Sequence, residues 1–97
     1  MTFEDLQAAL KEFDLPSSTT WKKIKLRHRQ LVQCYHPDKG DQADADKIKR
    51  INAAYKVLSS YVGDYRFDFS REQFFEQYPE ERLREQFWSE KPWGENV

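Results

Sequence analysis

QLVQCYHPDKGDQAD, residues 30–44, joins two amphipathic segments through a break that no regular helix passes. Pro37 lacks a backbone N–H and drives His36 toward extended geometry, so the segment before it stops there. Ending the helix is the cheap solution, because a proline inside it would cost about 3 kcal/mol. The connection beyond it, Asp38 to Asp44, is polar and rich in carboxylates.

Upstream, Trp21, Ile24, His28, Leu31, Val32 and Tyr35 fall on one face of a segment from about Thr19 to Tyr35. Downstream, Ile48, Ile51, Tyr55 and Leu58 recur at near-heptad spacing, and Ala54 is small enough for close helix approach. Asp44 is placed to cap this second segment, Asp46 complements the positive end of its dipole, and Gly63 reads as its stop. Two facing apolar stripes across a connection of about eight residues pack most economically as an antiparallel pair. A third segment, TFEDLQAALKEF, carries Phe3, Leu6, Leu10 and Phe13 at helical spacing, with Thr2 and Asp5 spaced as a capping box. Pro16 and the Ser-Thr cluster after it separate this helix from the hairpin that it covers.

The chain has 97 residues, enough for one modest core that buries roughly two-thirds of the unfolded surface. Charged residues are 34% and hydrophobic residues 38% of the chain, which favours a strongly helical, soluble protein. No alternating apolar pattern argues for a sheet. No run of about eighteen apolar residues suggests a membrane span. Glu4 and Asp5 near the start do not suit a secretory signal, and Cys34 is the single cysteine, so a reducing, cytoplasmic setting is expected.

Charge is unevenly spread. No acidic residue lies between Pro16 and Pro37, a span that holds Lys22, Lys23, Lys25, Arg27, His28 and Arg29. From Asp68 onward eight acidic residues face four basic ones. That C-terminal part, residues 70–97, is rich in aromatics. Ser70 is placed to cap a helix with Phe74, Phe75 and Tyr78, and Pro79 to open another with Leu83 and Phe87 at i, i+4. Phe67, Phe69, Phe74, Phe75 and Leu83 are expected to pack back on the core. Phe87, Trp88 and Trp93 either join them or form a patch for a client or targeting protein.

IKLRHRQLVQCYHPDKG followed by KIKRINAAYKVLSS resembles the J domain of the DnaJ co-chaperone family. His36-Pro37-Asp38 matches the family's signature tripeptide, with Lys39 after it. Ile24, Leu31 and Tyr35 match its second-helix core, and Ile48, Ile51, Ala54, Tyr55 and Leu58 its third-helix pattern. The resemblance covers about residues 3–69. It implies an all-α fold, a J-domain-like antiparallel helical hairpin at about 19–35 and 44–61 covered by a helix at about 3–13. One or two short helices at about 70–78 and 79–88 complete the chain. The implied core is Leu6, Leu10, Ile24, Leu31, Tyr35, Ile48, Ile51, Ala54, Tyr55 and Leu58. The expected division is a J domain at 1–69, from the resemblance, and, from the residues themselves, an aromatic, acidic extension at 70–97 that packs partly on it.

The resemblance also implies a function. J domains bind a DnaK-type (heat-shock 70) chaperone in its ATP state and stimulate its ATP hydrolysis, performing no catalysis themselves. By position, Lys25, His28, Arg29 and Gln30 match the partner-facing stretch of the second helix. Lys22 and Lys39 extend its positive face, and His36, Pro37 and Asp38 form the docking corner. The chain departs from the family at His28, where an aromatic is common, at Gln30, often basic, and at Arg27, usually small. It carries YVGD where a basic motif often follows the third helix, while Phe67-Asp68 falls where a Tyr-Asp pair is common. The glycine-phenylalanine linker, zinc repeats and client-binding sheets of full-length members are not in this sequence.

Plainer explanations compete. An ordinary helix stop with an Asx turn would produce His36-Pro37-Asp38 in isolation. His28 suits a half-buried helix face as well as a partner contact, and the basic run suits a solvated face. His28, Cys34 and His36 have no familiar zinc spacing, and Asp38, Asp41, Asp44 and Asp46 lack the ligand order of a calcium loop, so no metal and no cofactor are expected. A nucleic-acid-binding module using the basic helix is the second function class, disfavoured by a net charge of −1. A J-like scaffold that binds without stimulating is the third.

Overall fold

The computed structural model describes residues 1–89, apart from the side chains of Lys39, Asp41, Gln42 and Ser89. Among the described residues the fold is all-helical: α1 Phe3–Glu12, α2 Trp21–Tyr35, a short 3-10 segment Pro37–Gln42, α3 Ala45–Asp64, α4 Arg71–Gln77 and α5 Pro79–Ser89. They form two compact units, Met1–Tyr65 and Arg66–Val97.

In the first unit each helix starts on a local side-chain acceptor. The Asp5 N–H donates to Thr2 Oγ1 at 3.1 Å, and the Thr2 N–H donates to Asp5 Oδ2 at 3.0 Å. These bonds from the Thr2 backbone and side chain hold the Asp5 carboxyl below its ordinary range. The Lys23 N–H donates to Thr20 Oγ1 at 3.2 Å and the Lys47 N–H to Asp44 Oδ1 at 3.0 Å. Helix α2 therefore begins at Trp21, two residues later than the expected start at Thr19. Thr20 takes the cap, and Thr19 Oγ1 is buried with no hydrogen-bond partner among the described residues.

α1 ends in a Schellman turn. Asp14, at φ 53°, donates its N–H to the Lys11 carbonyl, and Leu15 donates to the Leu10 carbonyl, both at 3.0 Å. At the far end of α3 the expected stop at Gly63 is corrected, because the helix runs on to Asp64. One glycine in the last turn costs only about 1 kcal/mol relative to alanine, too little to end a helix that is packed along its length.

Contacts pair early α2 with late α3. Trp21 stacks near Tyr55 at 5.6 Å between centroids, His28 Nε2 lies 3.0 Å from Asn52 Oδ1, and the Asp44 N–H donates to the Tyr35 carbonyl at 3.2 Å. This order makes the pair antiparallel. α1 likewise runs against α3: Glu12 meets Lys47, while Phe3 and Leu6 line the same cleft as Leu58, Tyr61 and Val62. The core holds Ala9, Phe13, Ile24, Leu31, Ile51, Ala54 and Leu58, with Leu6, Leu10, Trp21, Val32, Tyr35 and Tyr55 partly buried against it. Ile48 is partly buried, whereas Phe3, in phase with α1's apolar face, is exposed.

The second unit is different in kind. Ser70 caps α4 through the Gln73 N–H at 3.2 Å, and Arg71 pairs with Glu85 to tie α4 to α5. None of its described residues is buried, and Phe67, Phe69, Phe74, Leu83, Phe87 and Trp88 are exposed. No helix among the described residues is long and apolar enough to cross a membrane.

Candidate partner-binding surface

α2 has two chemically distinct sides. Ile24 and Leu31 are buried, and Trp21, Arg27, His28, Val32 and Tyr35 are partly buried; the other positions face solvent. Lys22, Lys25, Arg29 and Gln30 are all exposed. Lys25 Nζ lies 5.8 Å from the centroid of the Trp21 ring. Among the described residues no carboxylate reaches ion-pair distance of Lys22, Lys25 or Arg29. Lys22 and Lys23 occupy the first turn, where α2 has no acidic residue and the helix dipole is positive. That placement opposes helix formation locally.

His28 is not part of this outward row. Its ring stacks on Tyr55 at 3.9 Å between centroids with 8° between planes, and lies 6.1 Å from Phe13. It joins α2 to α3 instead. Arg27, beside it, donates from Nε to the Phe13 carbonyl at 2.9 Å and so ties α2 to the end of α1. The half-buried helix-face position of His28 was one of the two readings open in the sequence, whereas the Arg27 tie was not expected. Each depends on a neighbour that only the packed hairpin supplies.

At the end of α2, His36 turns the chain with φ −61° and ψ 147°, and Pro37 opens the 3-10 segment. The expected irregular connection is thus wound into tight turns, interrupted at Gly40 with φ 61° and ψ −118°. The bond from Asp44 N–H to the Tyr35 carbonyl closes its base. Within it, the Asp38 N–H donates to His36 Nδ1 at 3.2 Å. Asp38 Oδ2 is 3.4 Å from the same nitrogen, and the Asp38 side chain is 89% exposed against 49% for His36. The corner therefore presents a solvated carboxylate whose backbone is set by a proline and an imidazole. Lys39 comes next in the same segment, with its side chain outside the described residues.

The outward side of α2 also carries Leu26, which is 48% exposed. It was absent from the expected partner-facing set, although its position two residues after the buried Ile24 already puts it on the opposite side of the helix. Cys34 is exposed, and among the described residues no His, Cys, Asp or Glu group is arranged to hold a metal.

Comparison with known proteins agrees with this geometry. Residues 11–68 match the family model described as the DnaJ domain. A "Chaperone protein DnaJ" of Finegoldia magna is 33% identical over 66 residues, covering 66% of this chain and 18% of that protein. A "DnaJ homolog subfamily C member 5 homolog" of Drosophila melanogaster is 46% identical over 48 residues, covering 47% and 19%. A DnaJ-like protein of Mycoplasma pneumoniae is 37% identical over 68 residues, covering 70% and 20%. The chain thus spans about a fifth of the length of these relatives. No solved structure gives a significant match. With the helical hairpin, the His36-Pro37-Asp38 corner and a matched region spanning more than half of its length, the chain belongs to the DnaJ-domain family.

Proposed function

We propose that the chain is a co-chaperone that binds a DnaK-type chaperone in its ATP state and stimulates ATP hydrolysis. The observation that carries this is the exposed Asp38 carboxylate in a turn already shaped by Pro37 and His36. A carboxylate held this way accepts a partner arginine through two parallel, charge-assisted hydrogen bonds. Forming the geometry before docking reduces the entropy lost on binding. The protein itself performs no chemistry; it favours the hydrolysis-competent state of the partner by binding that state more tightly. His36, Pro37, Asp38 and Lys39 form the corner contact, and Lys22, Lys25, Arg29 and Gln30 the flanking face. His28 acts from behind, by holding α2 against Tyr55 and Asn52.

In the second unit, Phe87 and Trp88, 74% and 60% exposed, are proposed to meet a client or targeting protein. Trp93, assigned to the same role, lies outside the described residues.

Single-turnover ATP hydrolysis by a purified DnaK-type chaperone tests the main proposal. The unaltered chain is expected to accelerate turnover, and Asp38→Asn and His36→Gln to abolish the acceleration at unchanged helicity. Equal stimulation by Asp38→Asn and the unaltered chain would sink the assignment.

A further inference from the structure

Protein interfaces draw their binding energy from a few apolar or aromatic groups that become fully desolvated, ringed by polar groups that exclude water. The outward face of α2 has little to offer as such a centre. Ile24 and Leu31 are buried in the core, and Trp21, Val32 and Tyr35 are partly buried against it. His28, at the position where the family commonly has an aromatic, spends its ring on Tyr55 and its Nε2 on Asn52. Leu26 is the aliphatic group left facing solvent on this helix, at 48% exposure. By helical spacing its neighbours are Lys22 and Lys23 one turn before it, and Arg29 and Gln30 one turn after. All four are exposed. An isolated surface leucine is ordinary and would carry no meaning. This one sits at the centre of the cationic face through which the proposed chaperone contact runs.

We propose that Leu26 is the apolar anchor of that contact. The chaperone surface it meets then holds an apolar recess bordered by carboxylates that receive Lys22, Lys23 and Arg29. The inference rests on the chaperone-binding role above and deepens it by naming what selects the partner. The cations set how fast the complex forms and how salt affects it, and Leu26 sets how long it lasts. A partner with a charged or flat surface opposite position 26 would be attracted and then lost quickly.

The test measures association and dissociation rates of the full chain with a purified DnaK-type chaperone in ATP, at low and high salt, beside the hydrolysis assay. Leu26→Ala is expected to speed dissociation about tenfold, with association rate and salt dependence unchanged. Leu26→Met restores the slow dissociation. Leu26→Lys associates at least as fast as the unaltered chain, yet dissociates quickly. Lys22→Gln slows association and flattens the salt dependence. Alanine is the best helix former, so loss of α2 does not explain the first result, and circular dichroism checks it. If Leu26→Ala dissociates like the unaltered chain while Asp38→Asn still loses stimulation, the anchor is refuted and the co-chaperone role stands. If the unaltered chain does not bind, or Asp38→Asn stimulates normally, the underlying role fails and the anchor with it.

Discussion

At the scale of single residues, the chemistry divides into groups whose setting is local and groups whose setting is made by the fold. Thr19 belongs to the second kind. Two adjacent threonines offer equal caps in sequence, and the structure uses Thr20. The Thr19 hydroxyl is then shut away without a hydrogen-bond partner among the described residues. A buried polar group left unsatisfied costs about 1–3 kcal/mol, whereas an apolar group of the same shape does not. Thr19→Val is therefore expected to raise stability by about 1 kcal/mol, read as a higher urea midpoint at unchanged slope. A lower midpoint would show that the hydroxyl is satisfied. His28 teaches the same lesson from another side. A helix-face histidine and a partner contact look alike in sequence, and the difference is made by Tyr55 and Asn52 on α3, 27 and 24 residues away. By contrast, the break at Pro37 and the extended His36 before it were legible at once, because proline acts on its own backbone and on that of its neighbour.

Among the helices, three capped starts were read directly, and one stop was not. Thr2, Asp44 and Ser70 cap α1, α3 and α4 as their spacing predicts, since a cap needs only a side chain and an N–H three residues on. Gly63 misled because a weak local preference yields to a packed helix. The 3-10 turns after Pro37 were invisible because their i to i+3 bonds impose no hydrophobic period. Besides the shared core, Glu12 links α1 to α3: it receives Lys47 Nζ at 2.8 Å and lies 3.4 Å from Arg50 Nε. The Lys47 hydrogen bond is the main reason that the Glu12 carboxyl sits below its ordinary value of 4.5, and partial burial opposes it. A folded-state value below the unfolded one means that the unfolded chain binds the proton more readily. The stabilisation is complete above about pH 4.5 and is lost as the pH falls through the lowered folded-state value. Glu12→Gln is expected to cost about 1 kcal/mol at neutral pH and to lose its difference from the unaltered chain in acid. Melting curves across that range check it, and a gap between the two that persists in acid contradicts the assignment.

For the whole molecule, the two units differ in how much they bury. The first has a continuous core that includes Phe13 and Ile51 at 0% exposure, and the second has no buried residue among those described. Local opening free energy follows buried apolar contact. Amides in the middle of α3, around Ile51 and Leu58, are expected to exchange hydrogen at the global unfolding rate. Those of α4 and α5 should exchange at least about a hundredfold faster, with NMR as the readout. Uniform protection across all five helices would contradict this. The placement of Lys22 and Lys23 in the first turn of α2 has a consequence for anyone improving this protein. Exchanging Lys22 for glutamate would favour the positive helix end and raise the melting temperature, by about 0.3–1 kcal/mol of stability. The same exchange would repel an acidic partner and slow capture. A screen that ranks variants by survival on heating would thus enrich proteins that endure and no longer work, so heat tolerance and activity need to be selected together.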